Sequence, residues 1–229
     1  MNAAPSQVGG EDLLAFLGSL QLADSFFPSG LYTLSHGLEA FAQAGQVGPD
    51  NLEALLADYL RHGFGPADGV ALACAHRSVE EDDLELAVQA DVRLTAVKLP
   101  REARATSLRV GRQLLRLTRE TFGGKALDEY ARRAGTRQTT GNHAVVLGLA
   151  MATLGIGRER AIAGELYALA SGAVAAAVRM TVIDHRVAQV VLHALKPVIA
   201  EVARVNRDKG GRDISAPARR RSSRRSSRS

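Results

Sequence analysis

Apolar residues recur at helical spacing along most of the chain, and this periodicity limits the possible fold more than any other feature. After Pro49, for example, Leu52, Leu56 and Tyr59 return every three or four positions and so fall on one face of a helix. No stretch alternates apolar and polar residues for long enough to require a β-sheet. With only 4% aromatic residues and no Trp, the core side chains are mainly Ala, Leu and Val, which favours closely packed helices. The pattern predicts an all-α fold, a single-domain bundle of about ten helices.

Glycines, prolines and capping residues divide this pattern into separate helices. Gly63 and Gly65 are expected to end one helix, and Pro66 and Pro197 are expected to begin new ones. Ser35 and Asp184 have the position and residue type of helix N-caps. The predicted helices cover residues 13–22, 36–44, 49–62, 67–79, 84–97, 101–122, 126–133, 143–154, 158–180, 185–195 and 197–206.

A length of 229 residues suits one well-buried core with polar segments at both ends. We predict that residues 1–10 are disordered, that residues 11–207 form the helical domain, and that residues 208–229 form a disordered Arg/Ser-rich tail. The six arginines of residues 217–229 contribute a charge of +6, whereas the net charge of the whole chain is +5. The rest of the chain therefore carries a charge of −1. The tail has three interpretations: an extension without a folded role, a nonspecific contact with nucleic acid or an acidic partner, or docking to a membrane surface.

The distribution of cysteine and apolar residues indicates a cytoplasmic protein. Cys74 is the single cysteine, so no internal disulfide can form, which fits a reducing compartment. The first residues contain neither a basic segment nor an apolar one, so no secretory signal is expected. The longest apolar runs, near Ala168–Val178, are shorter than the roughly 18 residues that span a bilayer. We therefore expect no contact with the membrane interior.

Residues 20–39, LQLADSFFPSGLYTLSHGLE, cannot remain helical throughout. Pro28 has no backbone N–H and a fixed φ, and Gly30 permits a positive φ, so the chain is expected to form a shaped turn here. Half of the ten aromatic residues lie within the first 41 positions: Phe16, Phe26, Phe27, Tyr32 and Phe41. Such clustering indicates a specific packing or binding surface.

Motifs of enzymes and metalloproteins are missing from the sequence. The Gly123–Lys125 segment does not match a phosphate-binding loop, because Arg119 stands where the first glycine is needed and Ala126 where Ser or Thr is needed. Cys74 and His76 are two positions apart, so on a helix they point in different directions. No Gly-x-Ser-x-Gly motif is present. We expect no catalytic residue, no cofactor and no metal site within one chain. The sequence leaves open the alternative of a transient metal site between subunits.

Three blocks of residues, in this order along the chain, resemble signatures of the UreF family of urease accessory proteins. The first block is matched by Leu20, Gln21, Leu22, Asp24, Ser25, Phe27, Pro28, Gly30, Tyr32, Ser35, Gly37, Leu38 and Glu39. The second is matched by residues 98–104, Ser107, Gly111, Arg112, Leu114 and Leu115, and the third by Leu166, Tyr167, Ser171, Val174 and residues 176–179. The resemblance extends over about residues 13–200. The chain departs from the family pattern at Leu31, Leu34 and Asn142–Ala144.

The resemblance implies a non-enzymatic scaffold in urease maturation. Such a protein joins UreD (also called UreH) and the GTPase UreG to apo-urease, so that nickel insertion is coupled to nucleotide hydrolysis on UreG. It also implies a homodimer at the centre of that complex. The residues that it places on the partner-binding surface are Asp24, Ser25, Phe27, Pro28, Gly30, Tyr32, Ser35, Glu39, Lys98, Arg104, Ser171 and Arg179.

Other interpretations of the same residues stay open at this point. The chain could be a helical nucleic-acid-associated protein whose basic tail supplies the affinity, or an enzyme with a site at Asp24, His36 and Glu39. Lys98 and Arg179 could equally be ordinary solvated charges. The long Ala-rich helix has a ridge of small residues that suits either a central core helix or a contact between subunits. This ridge consists of Gly164, Ala168, Gly172 and Ala176.

Overall fold

The computed structural model describes residues 8–24, 27 and 37–216, and all regular secondary structure in this part of the chain is helical. The predicted all-α fold is therefore confirmed. The helices are α1 (Val8–Ala23), α2 (Leu38–Gln43), α3 (Leu52–Tyr59), α4 (Val70–Glu80), α5 (Leu84–Val97), α6 (Arg101–Thr121), α7 (Lys125–Gly135), α8 (His143–Thr153), α9 (Arg158–Arg179) and α10 (His185–Asn206). A π-helical segment, Leu60–Gly69, joins α3 to α4, and a short 3₁₀ turn, Gly211–Asp213, follows α10.

The core is built around α4, α8 and α9. Every residue of α8 from His143 to Met151 is buried. Helices α4 and α8 approach closely because Gly148 has no side chain; a Cβ there would lie 2.5 Å from the carbonyl oxygen of Leu72. Small residues at such a crossing bring the two backbones together and leave the larger Leu and Val side chains to fill the space on either side.

Helix α9 is a core helix, as one of the two interpretations of its small residues predicts. In its ridge, Gly172 and Ala176 are buried, Ala168 is half-buried and Gly164 is exposed. The helix is long and apolar enough to span a membrane by length and composition, but 61% of its most apolar window is buried inside the fold. Burial of this extent is typical of the central helix of a globular domain.

The chain stays helical from Leu52 to Glu80, so the prediction that Gly63 and Gly65 end a helix is wrong. The widened π-helical turns accommodate Pro66, which has no N–H to donate and needs room for its ring. Gly65 is required by packing, because a Cβ at this position would overlap the side chain of Val202 on α10.

The prediction that Pro197 begins a separate helix is also wrong, since α10 continues through it. Pro197 lies on the exposed side, where the carbonyl group that loses its hydrogen bond can be hydrated. The predicted cap at Asp184 is confirmed: its side chain accepts a hydrogen bond of 2.8 Å from the backbone N–H of Val187.

Contacts with the helical fold extend from α1 to the residues that follow α10. Helix α1 begins at Val8, and α2 begins at Leu38 after Gly37, whose φ is +87°; the predicted cap Ser35 lies outside the described residues. At the other end, packing continues beyond residue 207. Ile214 is fully buried, and the backbone N–H of Ser215 donates to the carbonyl oxygen of Pro66 at 3.1 Å.

Candidate functional site

A groove of about 500 Å³ brings together residues of the first two sequence blocks and a residue that falls within the span of the third. Glu39 lies in the first block, Lys98 in the second, and Leu169 falls within the third. The walls come from α2, the π-helical segment, α6 and α9, and the first residue of α8 completes them. The groove is lined by Gly37, Glu39, Ala40, Gln43, Phe64, Asp68, Lys98, Pro100, Glu102, Ala103, Thr106, Ser107, Val110, His143, Glu165 and Leu169.

Lys98 is fixed in one wall by a largely buried ion pair. Its Nζ lies 2.7 and 2.9 Å from the two carboxylate oxygens of Asp68, and the two side chains are 15% and 9% exposed. Arg104 secures the same corner by donating a hydrogen bond of 3.3 Å to the carbonyl oxygen of Lys98. Because each charge is compensated by the other, the pair holds the end of α5 against the π-helical segment.

A second polar pair, His143 with Glu165, lies deep in the groove. Nδ1 of His143 is 3.2 Å from Oε1 of Glu165, and the two side chains are 6% and 1% exposed. Within the described part of the chain, Nε2 of His143 is buried and makes no hydrogen bond. If Nδ1–H donates to the carboxylate of Glu165, Nε2 is left as an acceptor.

Asp91 positions the loop that leads into His143. One of its carboxylate oxygens accepts hydrogen bonds from Thr139 Oγ1 and from the N–H and Oγ1 of Thr140. The other accepts from the backbone N–H and Nδ2 of Asn142, at 2.8 and 2.9 Å. Burial by itself would raise the pKa of Asp91, but these hydrogen bonds together outweigh it and hold the pKa below its ordinary value.

The rim of the groove carries negative charge that has no ion-pair partner in the described part of the chain. Glu39 on α2 and Glu102 on α6 are exposed, and neither forms an ion pair within the described ranges. Each of the charges deeper in the groove, in contrast, has a partner: Asp68 pairs with Lys98, and Glu165 contacts His143. The open side of the groove therefore favours a positively charged ligand.

The remaining residues of the predicted surface lie in different places. Asp24 is exposed just after α1, Ser171 is half-buried on α9, and Arg179 is exposed in the last turn of α9. Arg179 is about 21 Å along the helix from Glu165, so it does not join the groove. Phe27 is buried and stacks on Phe122, with ring centroids 6.4 Å apart. Ser25, Pro28, Gly30, Tyr32 and Ser35 lie outside the described residues.

Four site residues were missed at the sequence level: Asp68, Asp91, His143 and Glu165. Asp91 could have been found, because it falls on the apolar stripe of α5 that contains Ala87, Val88 and Leu94. A carboxylate on such a stripe must be hydrogen-bonded to be tolerated there. Asp68 gave no comparable signal, since it lies in the segment whose glycines and proline suggested a break between helices.

A second, mainly apolar cavity of about 570 Å³ lies beneath α1 and reaches the other side of His143 and Glu165. Five apolar residues of α1 are half or more exposed, namely Leu13, Leu14, Phe16, Leu17 and Leu20, and three of them, Leu13, Phe16 and Leu20, line this cavity. Among the described residues, no group of three or more His, Cys, Asp or Glu side chains could hold a metal ion.

The family model and the relatives that match this chain have the same name, UreF. Residues 47–196 match the family model named UreF. The chain is 31% identical over 196 residues to the urease accessory protein UreF of Trichodesmium erythraeum, and the match covers 83% of each protein. It is 28% identical over 189 residues to the UreF of a Bacillus species, covering 82% of this chain and 83% of the relative. It is also 28% identical over 204 residues to the urease accessory protein UreF 2 of Brucella canis, covering 89% and 84%.

Proposed function

Because the chain belongs to the UreF family of urease accessory proteins, we propose that it is a non-enzymatic scaffold for nickel insertion into urease. In this role it bridges UreD (UreH) and the GTPase UreG to apo-urease in the cytoplasm. Nucleotide hydrolysis takes place on UreG, and nickel is the cargo of the complex. The chain itself contributes binding surfaces that hold the partners in a fixed arrangement.

The groove is the partner-binding surface in this proposal. The main support for this proposal is that Glu39 and Lys98 line the same groove, although they come from two blocks far apart in the sequence. The Lys98–Asp68 ion pair fixes one wall of this groove. A fixed wall favours binding, since little conformational entropy is lost when the partner docks. We also assign the segment with Ser25, Pro28, Gly30, Tyr32 and Ser35 to this surface, because it leads directly to Gly37, which lines the groove.

We expect that reversing the charge at the rim weakens complex formation. Glu39→Lys should reduce co-purification of UreD and UreG from cells that express the urease gene set by tenfold or more, about 1.4 kcal/mol of binding free energy. The reason is that a lysine at the rim repels the positively charged partner surface.

Glu120→Lys is the matched control, because Glu120 is exposed on α6 about 27 Å from Glu102 along the helix. Both variants should unfold at the same temperature as the unmodified protein. Equal recovery of the partners with Glu39→Lys and Glu120→Lys would show that the groove is not the binding surface.

The apolar face of α1 supports the proposed homodimer. Residues 13–23 contain no charged side chain, so a second copy related by two-fold symmetry would meet this face without charge repulsion. Burial of the exposed leucines and Phe16 supplies the driving force. The small-residue ridge of α9 is less suitable as a subunit contact, since Gly172 and Ala176 are already buried in the core.

Leu17→Glu is therefore expected to convert the dimer to a monomer, because each copy would place a charge in the apolar contact. Size-exclusion chromatography with light scattering measures the mass directly. Val205→Glu is the control, since Val205 is 58% exposed and belongs to α10 rather than α1. A Leu17→Glu protein that remains dimeric would exclude α1 from the interface.

A further inference from the structure

The basic tail, residues 217–229, leaves the fold next to the groove. Arg93 on α5 donates a hydrogen bond of 3.3 Å to the carbonyl oxygen of Ile214, and Ser215 binds the backbone of Pro66. Pro66 is two residues from Asp68, which lines the groove, so their backbones are at most about 7 Å apart.

The direction of the chain also leads towards the groove. Lys209 lies beside the later part of α4, since its carbonyl oxygen accepts a hydrogen bond from Arg77. Ser215 lies beside Pro66, before the start of α4. The segment between them therefore runs from the C-terminal end of α4 towards its N-terminal end. The 13 residues that follow can span about 45 Å when extended, which is enough to cross the groove.

The charges of the tail and the groove are complementary. Residues 217–229 contain six arginines and no acidic residue. The rim of the groove presents Glu39 and Glu102 without ion pairs within the described part of the chain. Guanidinium groups bind carboxylates through paired hydrogen bonds, so arginine suits this rim better than lysine does.

From these observations we propose that the Arg/Ser tail docks into the groove of its own chain, with arginines at Glu39 and Glu102. The tail then occupies the same groove that is proposed for the partner proteins, so it competes with them. That competition rests on the proposed function, whereas the docking does not and is measured on the isolated protein.

Limited digestion of the full chain with trypsin tests the docking, because trypsin cleaves after the tail arginines only when they are accessible. Intact mass measurement follows loss of the tail. At low salt, the tail of the unmodified protein should be lost at least three times more slowly than that of the Glu39→Gln/Glu102→Gln double variant. The difference should vanish at about 1 M salt, where electrostatic attraction is screened. Glu120→Gln, which leaves the groove unchanged, should behave like the unmodified protein.

Three results would overturn the proposal. Equal rates of tail loss in the unmodified protein and the double variant would show that the rim does not hold the tail. Protection that disappears on tenfold dilution would mean that the tail binds a second copy. If both proteins lose the tail at the same rate, and this rate falls only when RNA or DNA is added, the ligand of the tail is nucleic acid.

Discussion

Replacement of Asp91 by alanine is expected to lower the free energy of unfolding by on the order of 4 kcal/mol. Asp91 is completely buried and accepts hydrogen bonds from Thr139, Thr140 and Asn142. Alanine would leave the backbone N–H groups of Thr140, Gly141 and Asn142 without their acceptor, and each unsatisfied buried group adds roughly 1–3 kcal/mol to the loss. Urea denaturation at pH 7, followed by circular dichroism, measures the change.

Asp83→Ala provides the comparison for Asp91→Ala. Asp83 precedes the same helix and accepts a hydrogen bond from the backbone N–H of Glu85, but it is exposed. Loss of such an N-cap costs about 1 kcal/mol. If the two variants are equally stable, Asp91 does not organise the loop before α8.

The depressed pKa of Asp91 adds a pH dependence of defined sign. A carboxyl group whose pKa is lower in the folded than in the unfolded protein stabilises the fold above its unfolded pKa, about 3.9. This contribution is lost as the pH falls through the lower, folded value. The stability of Asp91→Asn should therefore fall less steeply than that of the unmodified protein when the pH is lowered below about 4.

Lys98→Ala is expected to cost about 3–5 kcal/mol, because it leaves the buried carboxylate of Asp68 without a counter-charge. The matched control is Lys125→Ala. Lys125 makes an ion pair of similar length, 2.9 Å, with Asp82, but both side chains are more than 80% exposed. Such a surface pair contributes less than about 1 kcal/mol.

A double variant separates charge burial from loss of packing at this position. Lys98→Met with Asp68→Leu removes both charges and keeps most of the side-chain volume, so it should recover most of the stability lost in Lys98→Ala. Denaturation with urea compares the three proteins. A Lys98→Ala protein as stable as Lys125→Ala would show that the Lys98–Asp68 pair does not hold the wall of the groove.

The sequence predicts most helices well because their ends are determined locally. Helix α5 begins after Asp83 and ends before Pro100, and both signals act within a few residues of the helix end. The continuous helices through Pro66 and Pro197 could not be predicted in the same way. Their continuity depends on π-helical geometry, on the contact of Gly65 with α10, and on which side of a helix faces solvent.

The candidate site was only partly accessible from the sequence. The resemblance to the UreF family identified Glu39 and Lys98, but it gave no indication that they line one groove. That juxtaposition arises because α2 packs on α9 and the end of α5 packs on the π-helical segment, which was expected to be a break. The partner of Lys98, Asp68, lies in this same segment and was missed for the same reason.

The nickel content of urease tests the central claim most directly. Cells that carry a urease gene set lacking its own UreF should produce urease with little bound nickel and little activity. Expression of this chain should restore both, and Glu39→Lys should restore neither while accumulating as a folded protein. If urease contains equal amounts of nickel with and without this chain, the protein is not the scaffold proposed here.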